Sequence, residues 1–198
     1  MLIIGLTGSI ATGKSTVAGM LRQMRFSVHD ADAAVHNLMG PHGVAVSAIT
    51  AVFGADIGSP ATGINRQKLG EQVFTDTDKK QVLEAIIHPL VRQQKNRFIQ
   101  QARRQRKSAV FLDVPLLFET GGDHACDYVI TVWSPDFIQN QRALRRDGMT
   151  PEKLRAILQA QYPQSEKKQL SDLVLPSSLG RAETNRRLRK WLKAVNLL

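Results

Sequence analysis

The sequence predicts an α/β protein in which a parallel five-stranded sheet is covered by helices on both faces, in three layers. Three observations carry that expectation. Short apolar runs alternate with helical periodicities along the 198 residues, which is the pattern of strand–helix–strand units. The runs are too short for helices and lack a polar face, as strands buried between two helical layers should. The first run also ends in a glycine loop that opens a helix, and such sheets place ligands at that end of a strand.

Taken in order, Leu2–Leu6 is the first strand. Thr16–Met24 is a helix with Val17, Met20, Leu21 and Met24 at helical spacing. Phe26–His29 is a second strand, and Asp30-Ala-Asp32 opens a helix to about Met39. Gly40-Pro41-His42-Gly43 is a break, Val44–Phe53 a short helix, and Gly54–Gly63 a loop. Leu69 and Val73 mark one short helix. Leu83, Ile86, Ile87, Leu90, Val91, Phe98, Ile99 and Ala102 mark a long one, bent at Pro89. Ala109–Asp113 and Tyr128–Trp133 are strands. A helix starts near Pro135 and reaches Arg146. Thr150-Pro151 reads as an N-cap followed by proline at the first helical position, with that helix running to about Gln161 and breaking near Pro163. Leu173–Leu175 is the last strand and Ala182–Val195 the last helix. The expected organisation is a core at about 1–39, 108–146 and 171–198, a helical substrate-binding insertion at about 40–107, and a lid at about 147–170.

Composition narrows the class. With 42% hydrophobic and 22% charged residues the chain reads as an ordinary soluble protein. One cysteine, Cys126, excludes an intrachain disulfide and fits a reducing, cytoplasmic setting. The apolar start has no basic leader, so it is not read as a signal peptide, and no run approaches a membrane span. A net charge of +10 asks for anionic company. The excess is concentrated at Arg92–Lys107, with seven basic residues and no acid, and at Arg181–Lys193, with six against Glu183. Aromatics are only 6% and no base-stacking pattern is interleaved with these runs, so solvated helix faces are favoured and nucleic acid is not expected as a partner.

Gly8-Ser-Ile-Ala-Thr-Gly13-Lys14-Ser15 fits G-x-x-x-x-G-K-[ST] between a strand and a helix. Gly8, Ala11, Thr12, Gly13, Lys14, Ser15 and Thr16 are therefore the candidate nucleotide-binding residues of a P-loop NTPase fold. Glycines let backbone amides curl around phosphate oxygens, and the helix points its positive end at the same anion. Lys14 reaches the β- and γ-phosphates of ATP, and the Ser15 hydroxyl meets Mg²⁺. No lysine follows an asparagine, so a guanine-reading Asn-Lys-x-Asp is absent, and no aspartate has a glycine three residues on. A GTPase switch is thereby disfavoured and a small-molecule kinase expected, with a nucleic-acid-associated NTP-binding module as the alternative of another class. Asp113 ends a strand, as either a water-mediated Mg²⁺ partner or a satisfied turn carboxylate. Arg142 and Arg146, four apart on one helical face, either fork onto phosphates or form an exposed basic face. His88 reads as a donor to carbonyls that Pro89 leaves free.

The chain resembles the dephospho-CoA kinases along nearly its whole length. The resemblance lies in Gly5-Leu-Thr-Gly8 running into Gly13-Lys14-Ser15-Thr16, Asp30-Ala-Asp32, Arg66-x-x-Leu69 with Val73-Phe74, and Leu83-Glu84 with His88-Pro89. It continues through Asp113-Val-Pro115-Leu-Leu117-Phe-Glu119, Gln139-x-x-Arg142-x-x-x-Arg146-Asp147, Gln161 and Ser171-Asp172. The resemblance implies ATP-dependent phosphorylation of the 3′-hydroxyl of dephospho-CoA, the last step of coenzyme A synthesis. It implies that Asp32 is the base, that Lys14, Arg142 and Arg146 serve catalysis, and that Asp32, Arg66 and His88 meet the substrate. The same-class alternative is a kinase for another metabolite, such as a nucleoside monophosphate or shikimate. Ser9 stands where the family usually has a second glycine, Ala11-Thr12 where Gly-Ser is common, Ile157 where many members carry arginine, and Pro176-Ser177 where Asp-Asn is usual.

Overall fold

The strands are β1 (Leu2–Thr7), β2 (Ser27–Asp30), β3 (Gly58–Ser59), β4 (Gly63–Ile64), β5 (Ala109–Asp113), β6 (Tyr128–Trp133) and β7 (Leu173–Pro176). The helices are α1 (Lys14–Gln23), α2 (Ala31–Met39), α3 (Val46–Phe53), α4 (Arg66–Phe74), α5 (Thr77–Arg104), α6 (Asp136–Leu144), α7 (Pro151–Gln159), α8 (Gln164–Gln169) and α9 (Arg181–Ala194). This computed structural model describes residues 1–74 and 76–198, and the Phe74 side chain, part of the Val73-Phe74 motif, lies outside the described set. The chain divides into two compact units, residues 1–29 with 102–198 and residues 30–101.

In the first unit the five-stranded sheet runs β2-β5-β1-β6-β7. β1 pairs in parallel with β5 on one side and β6 on the other, and β7 extends the sheet beyond β6, also in parallel. Between β5 and β6 the chain therefore crosses from one side of β1 to the other, which leaves a ligand crevice at the carboxyl end of β1. Each strand is short, and β5 is buried throughout, because both sheet faces are covered. One core gathers Ile4, Leu6, Phe111, Ile130, Val132 and Leu175 from the strands with Val17 and Leu21 of α1 and Leu188 and Leu192 of α9. Truncating any of these fully buried leucines to alanine costs about 2–5 kcal/mol.

The sequence places most of these elements to within two residues, and β5 and β6 coincide with the expected strands. Two features were not expected. The stretch after Pro163 is helical again (α8), and the loop 54–63 contains a one-turn 3₁₀ segment at Ala55–Ile57 and the antiparallel ribbon β3–β4. The ribbon is only two residues a side, below the length at which strand alternation is visible. α8 is polar along its whole length and carries no apolar period to announce it.

The second unit is helical around its own core, in which Leu38 and Met39 of α2, Ile49 and Phe53 of α3, Leu69 of α4 and Ile87 of α5 are buried. It starts at residue 30, so α2 is counted with this unit, whereas the insertion expected from sequence starts at about 40. The segment 147–170 belongs to the first unit. Asp30 caps α2 by accepting from the Ala33 amide at 2.9 Å. Asn65 caps α4, with Oδ1 accepting from Gln67 and Lys68 at 3.1 Å each. α5 continues through Pro89 without interruption.

Candidate active site

β1 delivers the chain to Gly8, where a Cβ would stand 2.6 Å from the Val132 carbonyl oxygen of β6. Only glycine lets the loop leave the sheet this close to its neighbour. Ala11 (φ 59°) and Gly13 (φ 95°) then take left-handed backbone, and Gly13 is the N-cap of α1. Such alternation turns successive amides toward one concavity. Among the described residues, the amides of Ala11, Gly13, Lys14 and Ser15 find no protein acceptor. They are the free donors of a helix start, available to an anion.

The amides of Ile10 and Thr12 are instead spent on holding the loop. Thr12 is fully buried, and both its amide (3.3 Å) and its hydroxyl (2.8 Å) donate to the Ser9 carbonyl. It shapes the loop from within and offers no side-chain donor to a nucleotide. The Ser9 hydroxyl donates to Gln161 Oε1 at 2.6 Å and accepts from Gln139 Nε2 at 2.9 Å. Gln161 Oε1 also accepts from the Ile10 amide, and Gln139 Nε2 also donates to the Ile10 carbonyl. Gln164 Nε2 donates to Gln139 Oε1 at 2.8 Å. The serine that departs from the family's glycine thus supplies the hydroxyl that both glutamines share. Ala11 packs its methyl against Ala143 and Leu154, with Ile10, Met149 and Leu158 around them. That contact accompanies a left-handed alanine that costs about 1–2 kcal/mol.

Lys14 forms an ion pair with Asp113. Register explains the meeting, because Asp113 lies opposite Leu6, two residues before Gly8. The side chains are 16% and 4% exposed, so the ammonium and the carboxylate are held beside the loop away from bulk water. Behind them sits a second ion pair that sequence reasoning missed. Lys167 of α8 is fully buried, with Nζ 2.8 Å from Glu119 Oε1 and donating to the Pro115 carbonyl at 3.0 Å. Pro115 also accepts from the hydroxyl of Thr7, the last residue of β1. Glu119 Oε1 further accepts from the Tyr162 amide at 2.7 Å. One buried ammonium therefore ties the turn that follows Asp113 to the segment carrying Gln161.

On the far side of the loop, Arg142 donates from Nη1 to Ser177 Oγ at 2.9 Å and from Nη2 to the Ser177 carbonyl at 3.4 Å. A cavity of about 240 Å³ opens there, lined by Gly13, Thr16, Arg142, Arg146, Ser177 and Arg181 among others. Arg142 and Arg146 thus reach one cavity with the loop, and Ser177, at a position where the sequence departs from the family, is what holds Arg142. Ser15 is exposed in the first turn of α1.

The acceptor-side candidates lie in the second unit. Asp32 is exposed in the first turn of α2, while Asp30 does the capping. Arg66 opens α4 and His88 lies on α5, both exposed. Among the described residues, His88 donates to no carbonyl, so the expected contact with a carbonyl freed by Pro89 is not made.

No cluster of three or more His, Cys, Asp or Glu among the described residues could cage a metal. The free Ser15 hydroxyl is the direct candidate for Mg²⁺. Asp113, already engaged by Lys14, suits a water-mediated contact.

A parallel sheet, an amide cradle at the end of its central strand, a lysine in that cradle and arginines converging on it define a P-loop kinase. The comparisons narrow this further. The dephospho-CoA kinase family model matches residues 2–183. The dephospho-CoA kinase of Rhodospirillum rubrum is 48% identical over 188 residues, covering 95% of this chain and 89% of that protein. That of Novosphingobium aromaticivorans is 44% identical over 193 residues, covering 98% and 94%. A crystal structure of a Thermus thermophilus protein superposes with TM-score 0.84 at 31% identity, and dephospho-CoA kinase from Campylobacter jejuni with 0.72 at 26%, each over 98% of this chain and 96% of the other. Shikimate kinase from Acinetobacter baumannii, at 13% identity and TM-score 0.53 over 100% of this chain and 96% of that one, shares the fold. The chain belongs to the dephospho-CoA kinase family.

Proposed function

We propose that this protein transfers the γ-phosphoryl group of ATP to the 3′-hydroxyl of dephospho-CoA, giving coenzyme A and ADP. The observation that carries the reading is the family match across residues 2–183. The free amides of the loop bind the phosphate chain, and Lys14 turns from Asp113 toward the β- and γ-oxygens, where its charge offsets the negative charge of the transferring group. The Ser15 hydroxyl, with Asp113 through water, would hold Mg²⁺, which when bound would supply charge neutralisation. Arg142 and Arg146 fork onto phosphate oxygens from the nucleotide cavity. Asp32 orients the ribose 3′-hydroxyl and accepts its proton as the oxygen–phosphorus bond forms and the bridging bond to ADP breaks. The second unit carries the acceptor, with Arg66 and His88 contacting it, and the segment 147–170 covers the nucleotide.

No helix of the described residues is long and apolar enough to cross a membrane. The decisive experiment is ADP release across candidate acceptors, with the product weighed by mass spectrometry. Dephospho-CoA should stimulate release and gain one phosphoryl group. Stimulation by a nucleoside monophosphate or shikimate instead would reassign the acceptor.

A further inference from the structure

The bend of the phosphate loop turns on Ile10, whose backbone amide and carbonyl are both held by side chains from distant parts of the first unit. The Ile10 amide donates to Gln161 Oε1 at 3.1 Å, and the Ile10 carbonyl accepts from Gln139 Nε2 at 2.9 Å. An amide can only donate and a carbonyl can only accept. The two glutamines must therefore face the loop with opposite ends, Gln161 with its oxygen and Gln139 with its nitrogen. The Ser9 hydroxyl completes the set, donating to Gln161 Oε1 at 2.6 Å and accepting from Gln139 Nε2 at 2.9 Å. Behind Gln139, the Gln164 side chain donates from Nε2 to Gln139 Oε1 at 2.8 Å. A Gln139 amide turned over would set nitrogen against nitrogen there and oxygen against the Ile10 carbonyl. Gln139 is only 2% exposed, so water does not replace these partners.

The next residue, Ala11, has a φ of 59°, a backbone that alanine leaves readily unless its neighbours hold it. The free amides of Ala11, Gly13, Lys14 and Ser15 follow at once, so their direction depends on the torsions fixed at Ile10. Donors aimed before an anion arrives bind it without a further cost in ordering. We propose that Gln139 and Gln161 are positioning residues for ATP. They grip Ile10 from opposite sides, keep Ala11 left-handed, and so aim the loop amides at the phosphate chain. Gln139 also stands three residues before Arg142 on α6, so one helix sets the loop and carries an arginine of the nucleotide cavity. This rests on ATP as the phosphoryl donor proposed above.

The test compares Gln139→Glu with Gln161→Glu in the full chain, at mildly alkaline pH. A carboxylate at 161 still accepts from the Ile10 amide and the Ser9 hydroxyl, whereas one at 139 has no proton to give the Ile10 carbonyl. Both place the same charge against the same hydroxyl, so the difference between them reads geometry. Steady-state kinetics should show the KM for ATP raised about tenfold more by Gln139→Glu than by Gln161→Glu. Titration with a non-hydrolysable ATP analogue and magnesium should show the same gap in Kd. Gln161→Met, which keeps the length and loses the acceptor, should raise both constants about tenfold, and the KM for dephospho-CoA should stay within about twofold throughout. Equal losses in the two glutamate variants would overturn the proposal in favour of charge alone. A lower kcat with both KM values unchanged would also overturn it, because a merely structural role reduces the active fraction and leaves the KM values alone. If Gln139→Glu does not fold, Gln161→Met decides by the same constants. If the wild type binds the analogue yet releases no ADP with dephospho-CoA, the acceptor reading fails and the titrations still decide the glutamines. No binding of the analogue to the wild type would sink both.

Discussion

The two units present their polar residues in opposite ways. In the first, the groups around the phosphate loop are buried and tied across the chain: Lys14 to Asp113, Ser9 to Gln139 and Gln161, Lys167 to Glu119 and Pro115. In the second, Asp32, Arg66 and His88 are exposed, and among the described residues they make no hydrogen bond or ion pair. A phosphate chain is the same in every turnover and rewards donors fixed in advance, since their ordering is already complete when the anion arrives. An acceptor-side carboxylate must instead remain free to take a proton from a hydroxyl that arrives with the substrate. Substitutions around the loop in the first unit should therefore disturb folding and nucleotide binding together, and those at the exposed Asp32, Arg66 and His88 should act on turnover and the acceptor while sparing the fold.

The largest effect expected is that of Lys14→Ala, which removes the loop's charge and leaves the buried Asp113 without its ammonium. Turnover should vanish and ATP binding weaken in the same variant, measured by coupled ADP release and by titration with a non-hydrolysable analogue. Retained activity would break the assignment of the loop. Asp32→Asn should lower kcat by about two to four orders of magnitude while the Kd for ATP and the Tm hold; near-normal turnover would remove Asp32 from the base role and blur the contrast between the units. Lys167→Met leaves the Glu119 carboxylate buried without its partner and should cost about 3–5 kcal/mol in urea unfolding. Adding Glu119→Gln should recover part of that loss, and a single variant as stable as wild type would mean the first unit is not held by this pair.

The smallest effect concerns Glu183, whose carboxyl is held down to about 2 by hydrogen bonds from Arg186, then Arg187, in the first turns of α9. A depressed carboxylate stabilises the fold above its unfolded pKa of about 4.5 and loses that contribution as pH falls toward the folded value of about 2. Glu183→Gln should therefore lower Tm slightly near neutral pH, and the difference from wild type should shrink as the pH drops through that window. A gap independent of pH would deny the ion pairing any role.

Much of the nucleotide side was legible in the chain because it is written in consecutive residues. The loop from Gly8 to Thr16 is one unbroken stretch, the Asp30 cap and the Thr150 cap with Pro151 behind it act within three positions of themselves, and each forms as expected. Pro163 misled, although Pro135 stands just before α6 as Pro163 stands just before α8; reading both as helix openings would have found α8. Nothing local could have singled out Lys167, which sits in a wholly polar helix yet is buried completely. Ser9 and Ser177 were noted as departures from the family, but what they bind, Gln139 and Gln161 in one case and Arg142 in the other, has no local trace.

What the amino-acid order by itself determined was the run of elements, the phosphate cradle and the charge on it, since backbone preference and capping are decided by neighbours along the chain. The tertiary structure alone decided which glutamines clamp the loop, which carboxylate holds Lys14 and which arginines share its cavity. Those partners stand 35 to 152 positions apart in sequence, and only the parallel pairing of β1 with β5 and β6, and of β6 with β7, brings them within hydrogen-bond reach.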